Sequence, residues 1–383
     1  RTYVQENFDT TADGILSKSE REQVTMIDVQ SKGISDLMGV EYFTALKELN
    51  CYDNNLTELN VRQNSALQIL ECTYNNLTEL DVRQNPALQK LYCYDNQLTE
   101  LDVSQNTALD FLNCSNNQLT ELDVRQNPAL KNLYCSNNQL KELDVCQNSS
   151  LEWLFCDNNY LTELDVRQNP ELQSLWCHNN HLTELDVSQN PALTRLKCSN
   201  NTYSIALTGG TFDLSTLPEG FDLGKASNWA NATVDGNTLT VTDPKVDITY
   251  TYDLGNEKTE TFTLRPTSCT LTESMVEAIP LQGYSGSAVT PDVTLKYGDT
   301  TLQKDKDYTV SYADNDQVGT AKAILTGIGS FAGKITVPFE IGVAIDATDF
   351  PDETFRTYVQ ENFDTTADGI LSESELRQAT EIN

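Results

Sequence analysis

The chain has 383 residues, and its 25 lysines and arginines against 57 aspartates and glutamates give a formal net charge of −32. An acidic surface of this kind repels nucleic acids and anionic lipids, so neither is expected as a partner. The hydrophobic fraction of 38% is adequate for folded domains, and the length predicts roughly two to four of them. No run of about 18 apolar residues occurs, so no membrane insertion is expected.

The first segment, residues 1–25, has a helix–loop–helix pattern around the stretch from Asp9 to Glu20. The spacing fits the calcium loop D-x-[DN]-x-[DN]-G-x5-E, in which Gly14 permits a sharp turn, except that Thr11 replaces the usual carboxylate or amide. Residues 1–17 return unchanged at 356–372, so the last segment, 344–383, repeats the pattern. Each copy resembles a single EF-hand.

The EF-hand resemblance implies a structural calcium ion in each loop, bound weakly and tying the cap to the first repeat of the next segment. The alternative is a relic loop that shapes the cap without a metal, because Thr11 lacks the usual ligand group. The expected ligands, with isoleucine acting through its backbone carbonyl, are Asp9, Thr11, Asp13, Ile15 and Glu20 in the first loop and Asp364, Thr366, Asp368, Ile370 and Glu375 in the second.

The second segment, residues 26–205, is an array of repeats with a constant period of 21 residues. The unit from Leu46 to Leu56 has the pattern L-x-x-L-x-C-x-x-N-x-L, which resembles the leucine-rich repeat with cysteine at an apolar position. Such a period predicts a solenoid in which each repeat buries its apolar side against its neighbours. The period is marked by Cys51, Cys72, Cys93, Cys114, Cys135, Cys156, Cys177 and Cys198.

The cysteines of this column are expected to be buried free thiols. Neighbouring strands lie about 4.8 Å apart with parallel side chains, which aims the sulfur atoms poorly for disulfide formation. The recurrent asparagines, such as Asn54, Asn75 and Asn96, are expected to hydrogen-bond the backbone in the turns.

Two β-rich segments follow the array. Residues 206–266 alternate polar and apolar residues between Asp-Gly and Gly-Asn turns, which predicts a β-rich seal for the end of the solenoid. Residues 267–343 contain further strand patterns, and the stretch from Gly327 to Gly333 precedes the last of them. This segment resembles the immunoglobulin-like sandwiches of bacterial surface proteins. The predicted fold class is therefore mainly β: a leucine-rich-repeat solenoid with a helical EF-hand-like cap, a β seal, an immunoglobulin-like sandwich and a second EF-hand-like segment.

The outward positions of the repeat strands provide the candidate binding site. Each of the eight units has three outward positions around its inward leucine and cysteine, and eight of these 24 positions are aromatic. Aromatic residues favour strands, yet the outward positions of the second half-repeat contain none. An aromatic patch flanked by polar residues predicts an interaction site. Its residues are Tyr52, Tyr92, Tyr94, Phe111, Tyr134, Trp153, Phe155 and Trp176.

The order of cap, leucine-rich repeats and immunoglobulin-like domain is similar to that of the internalin family of bacterial adhesins. That resemblance implies a non-catalytic adhesion module, secreted or attached to the bacterial cell wall, that docks a protein or a glycan on its concave aromatic face. The alternative is a passive spacer in a larger secreted protein or enzyme. No phosphate loop, nucleophile elbow or paired-acid motif suggests catalysis. The repeated cap indicates a fragment of a longer chain of tandem modules, whose ligand and oligomeric state the sequence leaves open.

Overall fold

The computed structural model describes residues 2–284 and 286–379 of the chain. The chain divides into two compact units: residues 1–203, 216–230 and 249–264 form the first, and residues 204–215, 231–248 and 265–383 form the second. The five segments expected from the sequence do not correspond one to one with these two units, and their boundaries remain a prediction. Position 1 of the predicted segment 1–25 and positions 380–383 of the segment 344–383 lie outside the described residues.

The first unit begins with two short helices, α1 (Thr2–Phe8) and α2 (Lys18–Arg21). Ser17 caps α2: its hydroxyl accepts a hydrogen bond from the backbone N–H of Glu20, and its own backbone N–H donates to the Glu20 carboxylate. This reciprocal capping box defines the start of the helix. Phe8 packs edge-on against Phe43, with ring centroids 5.5 Å apart, which joins the cap to the first turn of the array.

The array forms one parallel sheet of nine strands in chain order. Each strand pairs with the next at a spacing of one repeat from β2 onwards, as in the pairing of Leu133 with Leu154. The predicted leucine-rich solenoid with a parallel sheet is confirmed. The strands are β1 (Met26–Asp28), β2 (Glu48–Asn50), β3 (Ile69–Glu71), β4 (Lys90–Tyr92), β5 (Phe111–Asn113), β6 (Asn132–Tyr134), β7 (Trp153–Phe155), β8 (Ser174–Trp176) and β9 (Arg195–Lys197).

Buried leucines and asparagines hold the repeats together. Leu133, Leu154 and the cysteines of the 21-residue column from Cys51 to Cys177 are fully buried, because each repeat covers the apolar side of its neighbour. The Nδ2 group of Asn75 donates to the carbonyls of Cys51 and Cys72 at 3.0 and 3.1 Å, as the sequence predicted for the turn asparagines. A second asparagine column repeats this arrangement in the other half of each unit: Asn127 donates to Val103 and Asn106.

Residues 202–270 form seven strands, which are divided between the two units. They are β10 (Thr202–Thr208), β11 (Thr211–Asp213), β12 (Ala226–Ala230), β13 (Ala232–Asp235), β14 (Thr238–Val241), β15 (Ile248–Gly255) and β16 (Lys258–Thr270). In the first unit, β12 pairs antiparallel with β15, and Tyr250 stacks on Trp229 with ring centroids 4.5 Å apart. The Tyr250 hydroxyl donates to the carbonyl of Thr183, so this aromatic group packs against the last repeats.

In the second unit, β14 pairs antiparallel with both β11 and β13. A further sheet has the order β17–β23–β21–β20, in which β17 and β23 are parallel. Strands β18 and β19 form a separate antiparallel pair. These strands are β17 (Gln282–Tyr284), β18 (Lys296–Tyr297), β19 (Thr300–Thr301), β20 (Tyr308–Ala313), β21 (Gly319–Gly327), β22 (Phe331–Ala332) and β23 (Lys334–Ala344).

The second unit ends with the repeated helix–loop–helix: α3 (Glu353–Asn362), β24 (Ile370–Leu371) and α4 (Glu373–Gln378). Strand β24 pairs antiparallel with the end of β23. Within the described ranges, no helix is long and apolar enough to cross a membrane.

Candidate ligand-binding face

The three-residue strands of the array position the candidate site. In strands β2 to β8 the middle leucine is buried inside the solenoid, so the residues on either side of it point outward. Strands of neighbouring repeats therefore present their outward side chains in columns about 4.8 Å apart. The eight aromatic residues predicted from the sequence lie on these strands or two residues after their ends, and all eight are half-buried.

Five of these residues form a continuous row of ring contacts, which we call the aromatic strip. The centroid distances are 4.5 Å from Tyr92 to Phe111, 5.4 Å from Phe111 to Tyr134 and 4.9 Å from Tyr134 to Phe155. Phe155 and Trp176 then stack at 4.2 Å with their planes 7° apart. The strip thus crosses five neighbouring strands, β4 to β8, without a gap.

Two cations cover the tryptophans at one end of this face. The Lys197 ammonium lies 3.7 Å from the centre of the Trp176 ring, and the Arg195 guanidinium lies 5.7 Å from that of Trp153. Trp153 itself contacts Phe155 at 6.1 Å. Cation–π contacts of this kind hold both side chains over the rings. The aromatic strip therefore ends in positive charge although the whole chain is acidic.

The remaining two predicted residues belong to a separate group. Tyr52 and Tyr94 do not contact each other directly; both pack edge-on against Tyr74, at 5.5 and 5.4 Å. The sequence prediction missed Tyr74, which is 47% exposed and lies in the turn after β3. Its φ angle of 52° is in the left-handed region, where the other repeats place aspartate or asparagine. A comparison of the repeats could have found Tyr74 from the sequence, because it is an aromatic residue at a turn position that otherwise has aspartate or asparagine.

A buried polar group lies beside the strip. Asp157 is 6% exposed and accepts hydrogen bonds of 2.6 Å from the Ser136 hydroxyl and from the Asn158 amide. The Nε2 atom of His178 lies 3.7 Å from its carboxylate, and the His178 ring lies 6.4 Å from that of Trp176. The hydrogen bond from Ser136 to Asp157 connects the turns of neighbouring repeats beside the strip. Both hydrogen bonds of Asp157 restrict the motion of these turns, because a buried carboxylate that loses its donors is costly.

Burial shifts several ionisable groups of the face towards their neutral forms. Burial raises the pKa of the Tyr92 and Tyr134 hydroxyls, and it also raises the pKa of the Glu71 carboxyl. Burial likewise raises the pKa of the Cys51 thiol to about 12 and that of Cys72 well above its usual range. These thiols are therefore protonated packing groups rather than nucleophiles.

The first predicted calcium loop is closed by its own hydrogen bonds. One Glu20 oxygen accepts from the backbone N–H and hydroxyl of Thr10, at 2.7 and 2.8 Å, and from the N–H of Thr11 at 3.1 Å. The other oxygen accepts from the N–H and hydroxyl of Ser17, at 2.9 and 2.8 Å. The Ser17 N–H and the Thr10 hydroxyl lower the pKa of Glu20 to about 2. The carboxylate expected to chelate calcium is thus fully used by the loop.

The second loop has the same arrangement, with Glu375 bound by Thr365 and Ser372. Among the other expected ligands, Asp9, Asp13, Asp364 and Asp368 also accept backbone N–H groups of their loops. Across residues 2–284 and 286–379, no group of three or more histidine, cysteine, aspartate or glutamate side chains is placed to hold a metal ion. Calcium binding would have to replace hydrogen bonds that Glu20 and Glu375 accept, and the calcium sites remain a prediction.

One protein-family model matches part of the array. The family described as leucine-rich repeats (2 copies) matches residues 86–127 and 107–147. The prediction of leucine-rich repeats is thereby confirmed for this part of the chain. No curated protein matches the chain.

Several solved structures are similar to this chain. The functional domain of InlJ from Listeria monocytogenes, which includes a cysteine ladder, is 24% identical with a TM-score of 0.29, over 65% of this chain and 92% of that one. The internalin InlF from the same species is 18% identical with a TM-score of 0.32, over 53% and 81%. A leucine-rich repeat protein of Leptospira interrogans is 26% identical with a TM-score of 0.41, over 48% and 57%.

Proposed function

We propose that this chain is a non-catalytic binding module that docks a protein partner on its concave face, through the aromatic strip. The observation that supports the proposal is the unbroken row of half-buried rings from Tyr92 to Trp176. Rigid aromatic side chains supply large contact area at low entropic cost, and tyrosine and tryptophan dominate binding hot spots. Tyr74, Tyr52 and Tyr94 extend this surface towards the turns.

The ring geometry favours a protein over a glycan as the partner. A sugar stacks on a free aromatic face, but Phe155 and Trp176 cover each other's faces and Lys197 covers part of Trp176. Tyr134 turns its edge to Phe155 at an interplanar angle of 89°. What remains accessible is a ridge of ring edges and half-buried surfaces, which suits side chains that interdigitate with it. Lys197 and Arg195 add a site for an acidic group at one end.

The setting of the module is part of the proposal. We assign the chain to a secreted or cell-wall-attached bacterial protein because the order of its modules resembles that of surface adhesins. The cap and the final helix–loop–helix are assigned as EF-hand-like elements, and residues 267–343 as an immunoglobulin-like domain. Calcium in the loops is retained here only as an accessory prediction, since binding would first have to displace the hydrogen bonds of Glu20 and Glu375.

The test is a binding screen against arrays of host and microbial surface proteins and of glycans. The double variant Tyr134→Ser, Trp176→Ala is compared with wild type and with Tyr160→Ser, which removes an exposed ring outside the strip. We expect a protein ligand whose affinity falls at least about 30-fold in the double variant, the size of a hot-spot loss, and is unchanged in the control.

Melting curves of the three proteins separate lost binding from lost folding. Equal binding by wild type and double variant would contradict a site on the strip. Hits confined to glycans would contradict the choice of partner class. A blank for all three proteins would favour the passive-spacer alternative.

A further inference from the structure

The two copies of the helix–loop–helix have the same sequence but different surroundings. In the second copy, Ile370 and Leu371 form β24, which pairs with Ala344 and Val343 at the end of β23. The N–H of Ile345 donates to the carbonyl of Gly369 at 2.8 Å and extends the pairing by one residue. The loop of the second copy is therefore completed by a strand from the β domain that precedes it.

Small residues in that domain make room for the loop. A Cβ atom placed on Gly342 would lie 2.4 Å from the Leu371 carbonyl oxygen and 2.6 Å from Cγ2 of Ile370, so no other residue fits there. A Cβ atom on Gly283 would lie 3.2 Å from Cβ of Ala344 and 3.7 Å from Cδ1 of Ile370. Gly342, Gly283 and Ala344 together form a notch that receives the Ile370 side chain.

In the first copy, the same residues have no such partner among the described residues. Ile15 is 68% exposed, whereas Ile370 is half-buried. Leu16 is half-buried, whereas Leu371 is only 4% exposed. The loop itself does not cause this difference, because its hydrogen bonds are the same in both copies. Glu20 accepts the N–H of Thr10 at 2.7 Å, and Glu375 accepts the N–H of Thr365 at the same distance.

Further apolar surface adjoins the uncovered edge. Leu16 lines a cavity of about 740 Å³ together with Met38 and Tyr42. Met38 is 83% exposed and Tyr42 is 59% exposed, so the mouth of this cavity is largely apolar. The Ile15–Leu16 segment is thus an unpaired stretch of backbone beside exposed apolar side chains, and such a stretch can pair with a strand from elsewhere.

We propose that the Ile15–Leu16 edge docks the last strand of another β domain of the same kind, with a Gly-Val-Ala-Ile sequence equivalent to Gly342–Ile345. Each helix–loop–helix is then a joint that a preceding β domain completes by strand addition. The glycine of that sequence lies against the Leu16 backbone, and its alanine leaves space for the Ile15 side chain. The partner is thus defined by sequence as well as by strand geometry.

Hydrogen exchange on an extended chain tests this joint. A copy of residues 265–355 is placed immediately before Arg1, which restores the order found ahead of Arg356. We expect amide exchange at residues 15–17 to slow at least about tenfold relative to the original chain, and to approach that of residues 370–372. In the extended chain, Gly342→Val in the added copy should abolish the slowing, because its side chain collides with the docked backbone.

Three outcomes would overturn the joint: unchanged exchange at residues 15–17, protection that survives Gly342→Val in a folded added domain, or protection that disappears on dilution and so comes from a second molecule. Exchange at residues 319–327 of the added copy reports whether that domain is folded. If Gly342→Val unfolds the added domain, the substitution Ile15→Lys is tested instead in the extended chain without Gly342→Val. Ile15 is exposed in the original chain, so this substitution leaves the folding of the chain intact. Loss of protection then supports the proposal, and retained protection overturns it.

Discussion

At the scale of single residues, backbone and burial decide what the sequence pattern leaves open. The row of aromatic residues was predictable because a constant period places outward positions in columns. That Phe111 belongs to the aromatic patch was predictable from its outward position. Its ring contacts with both Tyr92 and Tyr134 were not, because Asn113 is the residue that pairs with these two tyrosines and the contacts depend on side-chain rotamers. Tyr74 was missed because a count of outward strand positions stops one residue before the turn it occupies.

Glu184 gives a pH-dependent prediction at this scale. Burial, and after it the neighbouring Asp186 carboxylate, raises the pKa of Glu184 to about 7 from an ordinary value of 4.5. The folded chain therefore favours the protonated form, and the stability due to this proton is present below pH 4.5 and lost as the pH rises through 7. We expect Glu184→Gln to stabilise the chain at pH 8, by on the order of 1 to 3 kcal/mol, and to have little effect at pH 5.

Urea unfolding of wild type and Glu184→Gln at both pH values measures this difference. Glu163→Gln is the matched control, because Glu163 is the equivalent residue of the preceding repeat and is exposed. A Glu184→Gln profile that runs parallel to wild type between pH 5 and pH 8 would contradict the prediction.

At the scale of elements, asparagine hydrogen bonds between neighbouring repeats hold the turns of the solenoid in place. The turn asparagines were predictable from their L-x-C-x-x-N spacing. The hydrogen bonds of the cap were not predicted, because Ser17 and Glu20 satisfy two patterns at once: positions of a calcium loop and the S-x-x-E capping box. Sequence spacing cannot distinguish the calcium loop from the capping box, because both patterns require a glutamate at position 20. The three-dimensional positions of Thr10 and Ser17 make the difference.

Asn127 tests the second asparagine column. Its Nδ2 group donates to two buried carbonyls, while its Oδ1 atom has no hydrogen-bond partner among the described residues. We expect Asn127→Ala to lower the free energy of unfolding by about 2 to 4 kcal/mol, because it removes two buried hydrogen bonds and opens a small cavity. Each carbonyl then keeps a single donor, the backbone N–H of Asn106 for Val103 and that of Leu109 for Asn106. Asn127→Asp should cost more, since a carboxylate cannot donate. Denaturant unfolding checks both, with the exposed Gln126→Ala as control; an aspartate as stable as asparagine would refute the assignment.

The closed loops give an expectation for calcium. Because calcium would have to replace hydrogen bonds that Glu20 and Glu375 already accept, we expect weak binding, with a melting temperature a few degrees higher in about 1 mM calcium than in EDTA. An unchanged melting temperature would contradict the predicted sites. Magnesium serves as the control for a general effect of divalent charge. A rise of several degrees that is specific to calcium, and absent in Glu20→Gln with Glu375→Gln, would establish the sites that the sequence predicts.

At the scale of the whole molecule, charge is the dominant property, and the composition alone predicted it. The carboxylates of Glu79, Glu100 and Glu121 lie on consecutive repeats and line one groove, and within the described residues none of the three forms an ion pair. Asp81 in the adjacent column is paired with both Arg62 and Arg83. The division into two units, by contrast, was not evident from the sequence, because contacts distant along the chain decide it.

Repulsion within this acidic surface predicts a response to salt. Since added ions screen like charges, we expect the melting temperature to rise by a few degrees between about 20 and 300 mM sodium chloride. Potassium chloride at equal ionic strength should give the same rise, which separates screening from specific ion binding. A melting temperature that falls over this range would mean that the attractive pairs, such as Arg62 with Asp81, outweigh the repulsion.

Alkylation of the column of cysteines can report which repeats of the solenoid have separated. Cys51 to Cys198 occur once per repeat and are shielded from reagents while the repeats stay stacked. A thiol becomes available to an alkylating reagent only when its own repeat separates from a neighbour. Each such event adds one fixed increment to the mass of the chain, and the position of the modified cysteine names the repeat that opened. Unravelling from either end would therefore modify the eight column cysteines in an ordered series, whereas collapse in one step would leave chains with either none or all eight of them modified. Cys146, which is only half-buried and lies outside the column, adds the same increment to the folded chain.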